Sequence, residues 1–236
     1  MRTVRIIGAP VEEGTGRSGC RKGPGALRAA GLASALAVAG HDVIDQGDLR
    51  PGVRRPVRHP NPAIKQLPQV SAWIEAIDTA VFDASADAVP IIIGGDHSIA
   101  AGSIPALNRR AIKAGRKLFV LWLDAHADFH LLDTTGSGNL HGVPLSYVVG
   151  RPGFDGFFPK LSHPLPPDRV CLMGLRSIDA AERGALAISG ATVHEMRQMR
   201  GHGALSLLRA FLDRVAREDG VLHVSLDVDF LDPAVA

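Results

Sequence analysis

Three short apolar runs in this sequence each end on acidic or histidine residues. Ile91–Ile93 runs into Gly94-Gly95-Asp96-His97-Ser98, Leu118–Leu123 stops at Asp124, and Leu222–Leu226 stops at Asp227. Runs of this length, bounded by polar residues, read as buried strands. In an open α/β sheet, ligands collect outside the carboxyl ends of the strands. If the sheet is parallel, the three endings therefore converge on one edge. That requirement constrains the fold more than any other feature.

The rest of the chain keeps the rhythm of repeated βαβ units. Val4–Ile7 reads as a first strand, followed by a Gly/Arg-rich loop over Glu13–Gly23. A helix is expected from Pro24, which suits a first turn, to a stop at Gly40. Val43–Ile44 reads as a strand, Gln69–Ala86 as a long helix and Ala100–Lys113 as another. A short helix is expected near Leu145–Val149, then a Pro/Gly/Phe-rich surface excursion over Gly150–Pro167. Strand Val170–Met173, helix Ala180–Ile188, strand Thr192–His194 and helix Leu205–Glu218 lead into the last strand.

With 236 residues, the chain suits one α/β domain over residues 1–236. Its 26 basic and 24 acidic residues nearly cancel, which argues against nucleic acid or an anionic membrane as partner. The Ala-rich run from Ala26 to Ala39 carries Arg28, Gly31 and Ser34, so it reads as a packed helix rather than a membrane span. Cys20 and Cys171 make neither a disulfide framework nor a zinc knuckle. They read as a loop thiol and a buried strand thiol in a reducing compartment, so a cytoplasmic location is expected.

Asp124, His126 and Asp128 sit at alternate positions, and Asp227 and Asp229 repeat that spacing. In extended backbone, alternate side chains share a face. The three could then point at one centre, with Ala125 and Ala127 out of the way, while His97 adds a second imidazole. Four carboxylates this close repel one another unless cations compensate. Two divalent ions would satisfy them, with Asp124 and Asp227 each bridging. Oxygen-rich donors with two imidazoles and no thiolate favour manganese or another harder ion over structural zinc. Taken singly, each segment has a plainer reading. Asp-x-His-x-Asp is often a solvated turn, Ser98 could cap the next helix, and Asp232-Pro233 suits a turn. The conjunction of all three at strand ends is what argues for a site.

These three segments, with Gly19-Cys20-Arg21-Lys22-Gly23-Pro24-Gly25-Ala26-Leu27-Arg28 before them, resemble the signatures of the ureohydrolase (arginase/agmatinase) family over nearly the whole chain. The resemblance implies a three-layer α/β/α fold around a parallel sheet, usually assembled as trimers or hexamers. It implies one Mn2+ held by His97, Asp124, Asp128 and Asp227, and a second by Asp124, His126, Asp227 and Asp229. Within the family, Ser137-Gly138-Asn139-Leu140-His141-Gly142 resembles arginases, implying Thr135, Ser137 and Asn139 on an α-carboxylate. Asp179 would take the α-ammonium, with Glu182 behind it. The implied reaction is hydrolysis of the guanidinium group of L-arginine to ornithine and urea by a hydroxide shared between the metals. Asp128 would relay a proton to the departing amine and His141 would shuttle protons to solvent.

Two departures stand out. His130 occupies a position where many arginases carry Asn for carboxylate binding; it could still donate a hydrogen bond, or admit a different guanidino acid. Family members also continue well past Ala236, so the resemblance implies a domain lacking its C-terminal part, including an interior strand. Such a gap would leave unpaired backbone groups and exposed apolar surface. Alternatives to arginase are thus another ureohydrolase, acting on agmatine, a guanidino acid or formiminoglutamate, or a catalytically inactive metal-binding chain. His41, His59, His163, His194, His202 and His223 read as structural or surface residues, and Arg17, Arg21 and Lys22 as a cationic loop.

Overall fold

The computed structural model describes residues 1–53 and 56–234; the side chain of His202 lies outside the described residues. The first half runs β1 (Thr3–Ala9), α1 (Gly23–Ala29), α2 (Leu32–Val38), β2 (Asp42–Asp48), α3 (Leu67–Ala84), β3 (Val89–Gly94) and α4 (Ile99–Lys113). The second runs β4 (Leu118–Leu123), α5 (Pro144–Val148), β5 (Val170–Leu175), α6 (Ala180–Ala187), β6 (Thr192–Glu195), α7 (Met196–His202), α8 (Ala204–Arg217) and β7 (Val221–Leu226).

Every strand pairing is parallel. The strands form two sheets, in the orders β2-β1-β3 and β6-β5-β4-β7. Layering follows from side-chain alternation. Leu118, Val120 and Trp122 of β4 pack with Val170 and Leu172 of β5 against α3, α4 and α5, whereas Phe119, Leu121, Cys171 and Met173 pack against Met199 of α7 and Phe211 and Val215 of α8. Ile7 and Ala9 of β1 meet Trp73, Ile77 and Val81 of α3. On the opposite face Gly8 leaves room for the ion-paired side chains of Arg28 and Asp48, where a Cβ would collide. The fold is the expected α/β/α arrangement.

The single sheet expected from the strand rhythm is instead divided. Among the described residues β3 pairs only with β1, and β7 only with β4. A groove lined by Val89–His97 and Leu222–Val228 runs between them. Consequently β3 is not the buried strand expected from Ile91–Ile93, since only Ile93 is buried along it. On β7, Val224 and Leu226 stay exposed.

Local chemistry explains other differences. The helix expected from Pro24 to Gly40 is two helices, because Gly31 takes a left-handed φ of 87° that ends the first and starts the second. An unexpected helix, α7, starts at a capping box in which Glu195 and Gln198 exchange side-chain and backbone hydrogen bonds. The stretch read as a surface excursion supplies Phe154, Phe158 and Leu165 to the core, the two phenylalanines edge-on to Tyr147. Among the described residues, no helix is long and apolar enough to cross a membrane.

Candidate metal centre and substrate cavity

The β3 ending is shaped by close backbone approach. A Cβ on Gly95 would collide with the Val11 carbonyl, so only glycine lets this turn lie against the first strand's exit. Asp96 then organises the neighbouring loop rather than reaching the cluster. Its Oδ2 accepts from the backbone N–H groups of Gly14 (2.8 Å) and Thr15 (3.1 Å). Its Oδ1 accepts from Ser98 N at 3.0 Å, so Asp96 and not the Ser98 side chain satisfies the backbone before α4.

His97 follows and is 5% exposed. Its ring stacks on Trp122, with centroids 4.2 Å apart. Its Nε2 lies 2.8 Å from Ser225 Oγ on β7. With Nε2–H donating to that hydroxyl, the Nδ1 lone pair is left for other partners. Nδ1 faces three carboxylate oxygens: Asp124 Oδ2 at 2.9 Å, Asp128 Oδ2 at 3.0 Å and Asp227 Oδ2 at 3.3 Å.

Asp124 is held from two sides, accepting from the Trp122 indole N–H at 3.0 Å and from His126 N at 2.7 Å. Asp128 reaches the cluster differently from the expected strand alternation. The chain leaves β4 at Leu123, and Asp128 adopts a left-handed φ of 48°. A turn, not extended backbone, aims its carboxylate inward. Asp227 Oδ1 accepts from Asp229 N at 3.1 Å, and Asp229 Oδ1 from Ala125 N at 3.0 Å. Asp229 Oδ2 lies 2.9 Å from His126 Nδ1.

Two groups of converging donors result, His97/Asp124/Asp227 and Asp124/His126/Asp229, the donor atoms in each lying within 4.8 Å of one another. Asp124 belongs to both. A cation fits the first group on the following observation. His97 Nδ1 is buried and has no hydrogen bond of acceptable geometry, although three carboxylate oxygens surround it. Donors around a shared ion are arranged this way; acceptors around one proton are not. The donor set, carboxylates with imidazoles, suits a harder divalent ion.

Protonation tells the same story for the metal-free chain. Burial opposes a charge on His97, yet Asp124 and Asp128 outweigh it and hold its pKa well above the usual range. Hydrogen bonds to Asp124 and Asp229 push His126 up to about 10. Burial raises Asp128 to about 7 and lifts Asp227 as well, while the two histidines overcome burial to lower Asp124. Protons are held where positive charge is needed, so metal binding must expel them.

A cavity of about 650 Å³ opens onto the cluster, lined by its His and Asp side chains together with His130, His141 and Glu182. His141 sits in a short 3-10 turn, Leu140–Gly142, and its N–H bonds Gly14 O at 3.2 Å. Burial lowers its pKa. Asp179 caps α6, its Oδ1 accepting from Glu182 N at 2.9 Å, while Glu182 Oε1 accepts from Phe129 N at 3.0 Å. Their other oxygens face His130 Nε2 at 3.0 and 3.6 Å. Thr135, Ser137 and Asn139 lie outside that lining. Thr135 Oγ1 and Ser137 Oγ are 3.4 Å apart and accept from Gly138 N and Asn139 N, respectively, at 3.2 Å each. Sequence reasoning passed over Trp122 and Ser225 as supports of the ligands. Ser225 left a trace, a polar residue inside an apolar strand. Arg21 pairs with Glu12 and Glu13, which offsets the cationic loop.

Parallel α/β/α layers carrying a His/Asp cluster at strand carboxyl ends define an α/β protein with a candidate metal site. The chain belongs to the arginase family, whose model matches residues 2–236; it is an arginase-type ureohydrolase, an enzyme that hydrolyses guanidino compounds. It is 56% identical over 232 residues to the arginase of Brucella melitensis biotype 1, covering 98% of this chain and 76% of that protein. Identity to the Agrobacterium fabrum arginase is 45% over 237 residues, covering 100% of this chain and 73% of that protein. The solved Bacillus caldovelox arginase superposes with a TM-score of 0.88 at 30% identity, over 99% of this chain and 78% of that one.

Proposed function

We propose that the chain is a manganese-dependent arginase that hydrolyses L-arginine to ornithine and urea. The observation that supports this reading most is the shared cavity. The donor groups around His97 and His126 share one chamber, large enough for a small amino acid, with Glu182 of the acidic pair Asp179/Glu182. An acidic pair suits an ammonium, and neutral donors suit a carboxylate. Thr135, Ser137 and Asn139 would exchange their loop contacts for the substrate carboxylate, and His130 would donate a hydrogen bond to it.

Of the two ions, His97, Asp124, Asp128 and Asp227 would hold one, and Asp124, His126, Asp227 and Asp229 the other. When bound, they supply Lewis acidity and make water acidic enough to attack near neutral pH. The water oxygen adds to the guanidinium carbon, and the bond from that carbon to Nε, which becomes the δ-amino group of ornithine, breaks. Asp128 receives the proton released in the attack and passes it to the departing nitrogen. His141, at the cavity wall with its pKa lowered by burial, exchanges protons with solvent. Its neutral form at working pH suits it to accept them.

Two unpaired thiols suit the cytoplasm, and assembly into trimers or hexamers is expected. The deciding experiment incubates manganese-loaded protein with arginine, agmatine or 4-guanidinobutyrate and measures urea, with a formamide assay for formiminoglutamate. Urea from arginine alone supports the proposal. Urea only from agmatine or the guanidino acid, or formamide, reassigns the substrate. No product despite two bound ions identifies an inactive metal-binding chain.

A further inference from the structure

We propose that His130, Asp179 and Glu182 form a third divalent-metal site, and that zinc bound there blocks the substrate cavity. One donor atom from each residue, His130 Nε2 and a carboxylate oxygen of the other two, lies within 4.8 Å of the others. Asp179 Oδ2 is 3.0 Å and Glu182 Oε2 is 3.6 Å from Nε2. Ion bonds of about 2.1 Å at tetrahedral angles separate donors by about 3.4 Å, so the spacing fits one shared ion.

A hydrogen-bonded network accounts for this group less well. Nε2 can carry one hydrogen, which Asp179 at 3.0 Å would take. Glu182 Oε2 at 3.6 Å is then beyond hydrogen-bond reach of that nitrogen, on a residue 6% exposed. Each carboxylate also has its other oxygen fixed by a backbone N–H, from Glu182 to Asp179 and from Phe129 to Glu182. The free oxygens are thereby aimed at His130. Thr134 Oγ1, 3.5 Å from Nδ1, can take the hydrogen of the tautomer that leaves Nε2 open for a metal.

Three protein donors that include an imidazole, leaving a fourth position open, suit tetrahedral zinc. His130 and Glu182 line the same cavity as the cluster, so an ion here competes with any cationic end of a substrate. That consequence rests on the arginase reading; the binding itself does not.

The test is equilibrium dialysis of manganese-loaded protein against zinc, followed by metal analysis, beside His130→Asn and Asp179→Asn. Asn retains capping ability at position 179, so that variant keeps the start of α6. The wild-type chain should hold two manganese and one zinc, and both variants two manganese only. Zinc replacing manganese one for one, or equal zinc in all three proteins, overturns the proposal. In urea assays, zinc at ten times its dissociation constant should raise the wild-type KM for arginine about elevenfold without changing kcat. Zinc inhibition that lowers kcat alone overturns the blocking role. If arginine yields no urea without zinc, the arginase reading fails while the metal count still decides the third site.

Discussion

Replacing Ser225 with alanine removes the only side-chain hydrogen bond described for the His97 ring, the 2.8 Å contact at Nε2. The ring keeps its plane, because Trp122 still stacks on it at 4.2 Å. What is lost is the partner that selects the Nε2–H tautomer and leaves Nδ1 free for an ion. Loss of such an outer partner costs about 10–100-fold in metal affinity. With the stacking retained, the lower end applies, about tenfold or ~1.4 kcal/mol. The effect should fall on the site that contains His97 and spare the one built on His126. Calorimetric titration of metal-free protein with Mn2+ would show two sites, one weakened. At manganese well above both dissociation constants, the metal-induced rise in Tm should shrink by about 3–6 °C. The metal-free Tm serves as the folding control. Both sites within twofold of wild type, with that control unchanged, would refute the tautomer argument.

Other outcomes follow from the same geometry. His141→Ala should lower turnover about 100-fold or more while leaving both ions bound; unchanged turnover with arginine removes it from proton transfer. His223, beside the groove between β3 and β7, has its pKa lowered to about 4 by burial and by the nearby charge of His97. Its charged form is penalised in the folded chain, so metal-free stability should be full above pH 6.5 and decline toward pH 4. Allowing for partial exposure, this sensitivity amounts to about 1–2 kcal/mol. It should be absent from His223→Leu in urea melts; an unchanged pH slope would contradict it. Burial pushes the Cys171 thiol up to about 12, so a native thiol titration should modify Cys20 slowly and Cys171 only in denaturant. Leu145→Ala, at a fully buried position under α4, should cost about 2–5 kcal/mol in denaturant melts.

Strand ends carried most of the legible information. An apolar run that stops at Asp124 or Asp227 states both where the strand finishes and what sits at its carboxyl end, so the cluster could be read before any coordinates. Asp128 was legible as a member but not in its conformation. Alternation implies extended backbone, and a left-handed turn achieves the same convergence with no distinguishing pattern in the residues. Phe154 and Phe158 were hidden by neighbouring Pro and Gly, which signal irregular backbone but say nothing of burial. The exposure of β3 could not be read from its own residues. Ile91–Ile93 reads as interior whatever lies beside it, and strand neighbours are set by topology. The supporting role of Ser225 depends on β7 lying next to the β3 exit, a contact 128 residues apart in sequence.

The division of the strands into two sheets gives the metal centre a mechanical side. His97 leaves the end of β3 in one sheet, whereas Asp124 and Asp227 leave β4 and β7 in the other. An ion gripped by all three would act as a clasp across the groove. Its grip would depend on how far the sheets stand apart, and their separation would depend on its grip. Chelation should therefore loosen β3 and β7 together, visible as matched gains in amide exchange along both facing edges.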